Sequence, residues 1–226
     1  QQYLIYLSDI TRGDFGTSIM TTRPVLDDII RFFPATLELA TIATFFGVIL
    51  GIPMGVLAAV NQGRLIDHVI RIIGLFGYSV PIFWLGMVAL LVFYAALGWL
   101  PGPGRIEVYY DGIVEARSGI ILIDSALQGE WEIFWNALHH LVLPSAMLAT
   151  FALAYIARMT RSFMLDQLNQ EYILTARVKG LSESAVIWRH AFRNVLVQLI
   201  TIIGLTYASL LEGSVLTETI FAWPGI

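Results

Sequence analysis

The chain has 226 residues, 57% of them hydrophobic and only 13% charged, about half the charged fraction of an ordinary soluble domain. The net charge is −4, and no nucleic-acid partner is expected. There is no cysteine, which excludes disulfides and cysteine-ligated metals.

The charges are also unevenly placed. Residues 39–63, 72–104, 133–157 and 194–211 contain no Asp, Glu, Lys or Arg. A bilayer core about 30 Å thick needs about 20 apolar residues of helix. The pattern predicts an all-α polytopic membrane protein with about four spans, at 35–60, 69–97, 136–159 and 192–211. A water-soluble helical bundle would have to bury all four uncharged windows, which makes it the poorer reading.

Residues 1–34 are expected outside the bilayer. Tyr3, Leu4, Leu7 and Ile10 lie at helical spacing, Gly13-Asp14-Phe15-Gly16 breaks the pattern, and residues 25–33 fit a second short helix. In the first span, Thr36, Thr41 and Thr44 can bond back to the backbone. Gly47, Gly51 and Gly55 recur every four residues, a stripe that permits close helix approach. Pro53 is expected to bend the helix. Residues 61–64 form a turn, and the second span is interrupted at Ser79-Val80-Pro81, where either ordinary curvature or a hinge is possible. Trp99 beside Pro101 fits a membrane interface, whereas Trp84 lies too deep for one.

Residues 98–135 are the long loop, carrying six acidic residues against Arg105 and Arg117. His139 and His140 open the third span. Adjacent helical positions point apart, and no glutamate follows to complete a zinc-protease pattern, so no metal, cofactor or catalytic group is assigned to this chain. Glu38 and Glu212, near span ends, read as solvated or locally paired, with a solute-facing role as the alternative. Residues 161–191 are too long for a turn. Helix-compatible sequence over 166–178, a stop at Gly180 and a new start at Ser182 give a helix–glycine–helix insert. It reads as a docking surface or as an amphipathic helix on the bilayer.

Basic residues set the orientation. Residues 61–71 and 158–193 hold eight Lys or Arg in 47 positions, and residues 1–34 and 98–135 hold five in 72. The first set is therefore expected in the cytoplasm, and 98–135 outside.

Several motifs carry a family resemblance. They are Arg12-Gly13-Asp14-Phe15-Gly16, Ala35-Thr36-Leu37-Glu38-Leu39, Gly51-Ile52-Pro53, Tyr78-Ser79-Val80-Pro81-Ile82-Phe83-Trp84 and Leu97-Gly98-Trp99-Leu100-Pro101. Glu171-Tyr172-Ile173-Leu174-Thr175-Ala176-Arg177-Val178-Lys179-Gly180-Leu181 and Thr217-Glu218-Thr219-Ile220-Phe221-Ala222-Trp223-Pro224-Gly225 complete them. In this order the chain resembles the first of the two permease subunits of the ABC-type importers for dipeptides, oligopeptides, nickel and glutathione.

The resemblance implies the transmembrane domain of a type I ABC importer in the bacterial inner membrane. It implies one further span before residue 1 and one after residue 226, so that residues 35–226 are a permease domain incomplete at both ends. It implies a second homologous permease subunit, two ATPase subunits that hold ATP and Mg, and a periplasmic or lipid-anchored solute-binding protein, in contact with membrane lipid. No GxxxxGK[ST] pattern occurs, so no nucleotide site is expected here.

The family's coupling motif runs Glu-Ala-Ala, three residues, Gly. This chain has Leu174-Thr175-Ala176, three residues, then Gly180, without the acidic residue. The resemblance makes Thr175, Ala176, Arg177, Lys179 and Gly180 the ATPase-coupling residues. Ala176 is expected to pack closely, Gly180 to turn the chain, and Arg177 or Lys179 to meet the partner. Ser79, Phe83 and Tyr207 are candidate path residues. Peptide is the expected cargo, with nickel or glutathione as alternatives. A secondary transporter and an intramembrane enzyme are the rival classes.

Overall fold

A computed structural model describes residues 7–8, 10–19 and 21–226. The Tyr3 and Leu4 part of the expected first helix lies outside the described residues. The described residues are helical with no strand, apart from one isolated bridge between Thr17 and Pro24.

Helix α1 is Val25–Val60. The short helix expected over 25–33 and the first span are one continuous element, and Pro34 does not end it. A proline forfeits one backbone hydrogen bond, but here the ring packs under Gly119 of the long loop, where any Cβ would collide with it. Helix α2 (Leu65–Ser79) and helix α3 (Ile82–Ala89, continued by a π-helical turn, Leu90–Ala96) replace the expected second span. They meet at 96°. Val80, held before a proline, is pushed into extended backbone at ψ 127°. Pro81 has no N–H to return to the Gly77 carbonyl. The interruption is thus a break, not gentle curvature.

The long loop contains a 3-10 turn at Val108–Tyr110 and helix α4, Ile121–Gln128. Helix α5, Trp131–Leu168, has 38 residues and would measure about 57 Å if straight, far more than a bilayer core requires. Helix α6 is Glu171–Val178. A π-helical turn, Ala185–Ala191, then runs into α7, Phe192–Gly213, and α8 is Val215–Ile220. The helix expected over 166–178 is therefore split at Asn169-Gln170. Three helical stretches are long and apolar enough to cross a membrane, or four if the bent α2–α3 pair is one span.

Helices α1 and α5 run in parallel and form the spine. Gly47 meets Ala152, Gly51 meets Leu153 and Ile156, and Gly55 meets Ala157 and Thr160, so the glycine stripe lies along this contact. Leu39, Ala43, Leu141, Leu148, Ala152 and Ile156 are buried in the same core, together with Trp223. A second core joins the far ends of α1 and α5 to α6, the second π-helical turn and α7, through Val56, Met164, Ile173, Ala176, Val186 and Val195.

Each end of the bundle is closed by a buried ion pair. At one end the Asp67 carboxylate takes the Arg161 guanidinium through two bonds of 2.7 and 2.8 Å and the Gly63 N–H at 3.0 Å. At the other end Glu38 is buried, paired with Arg105, and accepts the Leu122 N–H at 3.1 Å. Arg105 also donates to the Gly119 carbonyl at 2.8 Å, so the long loop is strapped across the helix ends. Trp223 Nε1 donates to Ala35 O at 3.0 Å. Buried Glu218 accepts from Thr36 Oγ1 at 2.7 Å and Ser214 Oγ at 3.0 Å. Thr36 and Thr41 thus spend their hydroxyls across helices, Thr41 on Tyr207 at 3.0 Å, rather than on their own backbone.

Candidate coupling segment and membrane path

The segment 161–191 is built around two ends of α6. Buried Ile173 and Ala176 face the second core, which fixes the helix against the ends of α1, α5 and α7. At the other end Gly180 adopts φ +79°, in the left-handed region where a side chain is strained. The Leu181 N–H reaches back to Ala176 O (3.3 Å) and the Gly180 N–H to Arg177 O (2.9 Å). This paired closure is the Schellman termination, in which glycine supplies the backbone conformation.

Arg177 spans the turn to Glu183 through two bonds, 2.9 and 3.2 Å, tying α6 to the start of the next helix. Thr175 donates to its own helix at Glu171 O (3.1 Å), and Lys179 is exposed. Of the expected coupling residues, Ala176 alone is buried, and its packing is within this chain. The outer face presents large apolar side chains instead: Leu174 and Val178, one turn apart, are 63% and 80% exposed, with Leu181 and Trp188 nearby in sequence and also exposed. Sequence reasoning missed Leu174 and Val178 as contact candidates. The signal was present, because two large apolar residues at i, i+4 lie beside a buried pair at Ile173 and Ala176.

Two clefts open along α2 and α5. One, of about 460 Å³, lies at the Asp67 end and is lined by His68, Arg71, Leu75, Tyr78, Arg158 and Arg161, among others. The other, about 290 Å³, lies at the α2–α3 break against Val80, Pro81, Phe151, Ser209 and Gly213, and it also touches Tyr78. Ser79, Phe83 and Tyr207 line neither. Ser79 and Phe83 are exposed beside the break, and Tyr207 is bonded to Thr41. His140 is buried with Nδ1 2.9 Å from Asn136 O, His139 is exposed, and among the described residues no three His, Cys, Asp or Glu could share a metal. Glu38 is locally paired, whereas Glu212 is exposed.

Outside the spans, Asp124 organises the loop. Burial pushes its carboxyl up, but N–H bonds from Ser118, Gly119 and Arg117, and the Ser118 hydroxyl, outweigh burial and hold it below the ordinary carboxylate range.

Residues 51–226 match the family model for the binding-protein-dependent transport system inner membrane component. The di/tripeptide transport system permease protein DppB of Pseudomonas aeruginosa (strain UCBPP-PA14) is 46% identical over 226 residues, covering 100% of this chain and 67% of that protein. The chain belongs to this permease family. The probable D,D-dipeptide transport system permease protein DdpB of Escherichia coli (strain K12) is 47% identical over 225 residues, 100% of this chain and 66% of that protein. The oligopeptide transport system permease protein AppB of Bacillus subtilis (strain 168) is 41% identical, covering 100% and 65%. The chain thus spans about two thirds of the length of the curated relatives it matches. Membership makes it a multi-pass inner-membrane permease component and not an enzyme.

Proposed function

We propose that this chain is the core of a permease subunit in an ATP-driven importer of short peptides, and that α6 and the Gly180 turn are its joint with an ATPase subunit. One observation carries the docking reading: α6 buries Ile173 and Ala176 in the permease while exposing Leu174 and Val178. The basic residues around this segment favour the cytoplasmic side, where an ATPase would stand. Di- and oligopeptide permeases among the relatives favour peptide over nickel or glutathione as cargo. In the proposed machine a second permease subunit completes the path, two ATPases hold ATP and Mg, and a binding protein delivers solute on the other side. ATP-driven closure of the ATPases moves α6, and the second core passes that movement into α1, α5 and α7.

The test is co-purification of the full-length subunit with its ATPases after Leu174→Glu and Val178→Glu. These positions are exposed, so insertion and folding should survive while ATPase association is lost. Retained association would move the joint elsewhere. Peptide uptake by the subunit without any ATPase, driven by an ion gradient, would instead establish a secondary transporter.

A further inference from the structure

Tyr78 stands where the two clefts meet. Its ring stacks with Phe151 at 5.6 Å between centroids and lies 5.0 Å from the Arg158 guanidinium, which also sits over Tyr155 at 5.4 Å. Tyr78 lines both clefts, so its ring stands between the two halves of a groove along α2 and α5, with Arg158 on the side of the first.

Two features weigh against acyl chains in this groove. The first is the backbone. The break at Ser79-Val80-Pro81 divides the bent α2–α3 pair, which is apolar enough as a whole to enter the bilayer, and Val80 and Pro81 line the groove. Non-helical backbone at membrane depth is tolerated where it is buried in protein or borders an aqueous cavity, not against lipid.

The second is charge. Because Gly51 and Gly55 are level with Ile156 and Thr160, Arg158 lies level with residue 53 of α1, about 10 Å from the end of that helix and one turn inside the Asp67–Arg161 pair that closes this end of the bundle. An arginine this close to a helix end reaches the polar interface by its long stem, and the Arg158 guanidinium turns into the cleft over Tyr78 and Tyr155. Among the described residues neither Arg158 nor Arg71 has a carboxylate within ion-pair distance. The remaining titratable groups of the cleft are His68, Tyr78 and Arg161. Arg161 is neutralised by Asp67, which is itself buried. The groove thus carries Arg71, Arg158 and Arg161 against the single carboxylate of Asp67, whose charge Arg71 also stabilises, and it suits an anion.

We infer that this groove is the wall this subunit contributes to the solute path, with Arg158 receiving the terminal carboxylate of a peptide in transit and Tyr78 separating the outer half from the inner. A guanidinium fits a carboxylate through two parallel hydrogen bonds, and a cation resting on two aromatic faces is already oriented for it. The inference rests on the importer reading above.

This chain contributes no cysteine of its own, so single cysteines can be placed in the groove once any cysteines in the rest of the full-length subunit and its partners have been replaced. The full-length subunit would be assembled with its second permease, ATPases and binding protein in liposomes. Leu75→Cys and Ser209→Cys would be labelled with a water-soluble thiol reagent, with a dipeptide as the protecting probe. Both should label, Ser209→Cys more with ATP bound and Leu75→Cys more without it. Dipeptide should protect Leu75→Cys, and adding Arg158→Gln should weaken that protection at least about tenfold in peptide concentration, with Arg158→Lys recovering part of it.

Labelling of both cysteines by a membrane-soluble reagent alone would overturn the inference in favour of a lipid-filled groove. Protection unchanged by Arg158→Gln would overturn the carboxylate site. Absence of ATP-driven dipeptide uptake by the unsubstituted complex would instead remove the peptide-importer reading on which the inference rests, so the two failures are distinct.

Discussion

At the scale of single residues, the fold depends on positions with no room and on buried charges with one partner. A Cβ on Gly55 would lie 2.5 Å from Thr160 Cβ and 2.6 Å from Ala157 O, and the second of these is backbone that cannot swing away. Gly55→Ala should therefore destabilise the full-length subunit by about 1–3 kcal/mol in a detergent melt, the usual range for overpacking. Gly204→Ala, with open space around it, should be neutral or slightly stabilising, since glycine is the poorer helix former.

The Asp67–Arg161 pair behaves differently. Asp67→Asn leaves a guanidinium without its counter-charge. The Arg161 side chain keeps 22% exposure, so the loss should fall at or below the low end of the about 3–5 kcal/mol typical for breaking a buried pair. The double change Asp67→Leu with Arg161→Met should recover most of that loss in the same melt. No recovery would mean that the pair sets the geometry of the 61–64 turn rather than balancing charge. The glycine stripe was legible in the sequence because close approach leaves a fixed spacing. The partner of Glu38, 67 residues away, and that of Thr36, 182 residues away, were not, because nothing local encodes which distant group will neutralise a buried one.

At the scale of elements, periodicity and charge gaps located the helices but not their joints. Pro81 announced a discontinuity, yet a proline alone does not distinguish a kink from the 96° break observed. That depends on whether neighbours such as Phe151 and Ser209 leave a cleft for the freed backbone. Pro34 erred in the other direction, since packing against Gly119 lets the helix run through it.

The long loop was the least legible element. Its order comes from one carboxylate, Asp124, collecting N–H groups from three successive residues. That arrangement has a pH signature. A carboxyl held below its unfolded value, about 3.9, contributes stability fully present above that value and lost as the pH falls through the folded one. Residues 115–124 should resist protease at pH 7 and become sensitive under acid conditions, below about pH 4. Asp124→Asn should be sensitive at neutral pH. An acid-resistant loop in the unsubstituted protein would show that the Glu38–Arg105 strap, not Asp124, holds it.

At the scale of the whole molecule, the two cores divide the work. The first welds α1, α5 and Trp223 into a rigid end closed by the loop. The second joins α6 to the opposite ends of the helices, so a push on α6 must move them or break the packing. Leu174 and Val178 face outward, and Ala176 faces inward at 6% exposure, so in the proposed machine contact and transmission would belong to different residues. The motif spacing put Ala176 and its exposed neighbours in one group, because a linear pattern does not say which face of a short helix is buried. The separation can be measured in the proposed complex. Ala176→Leu would overfill the space beside Met164 and Val186 at a cost of about 1–3 kcal/mol, loosening α6 from the core while leaving Leu174 and Val178 in place. ATPase should still co-purify with this variant, but stimulation of its hydrolysis by the loaded binding protein should fall severalfold. Loss of the ATPase itself would mean that the docking face exists only while the second core is intact, merging contact and transmission into one structural unit.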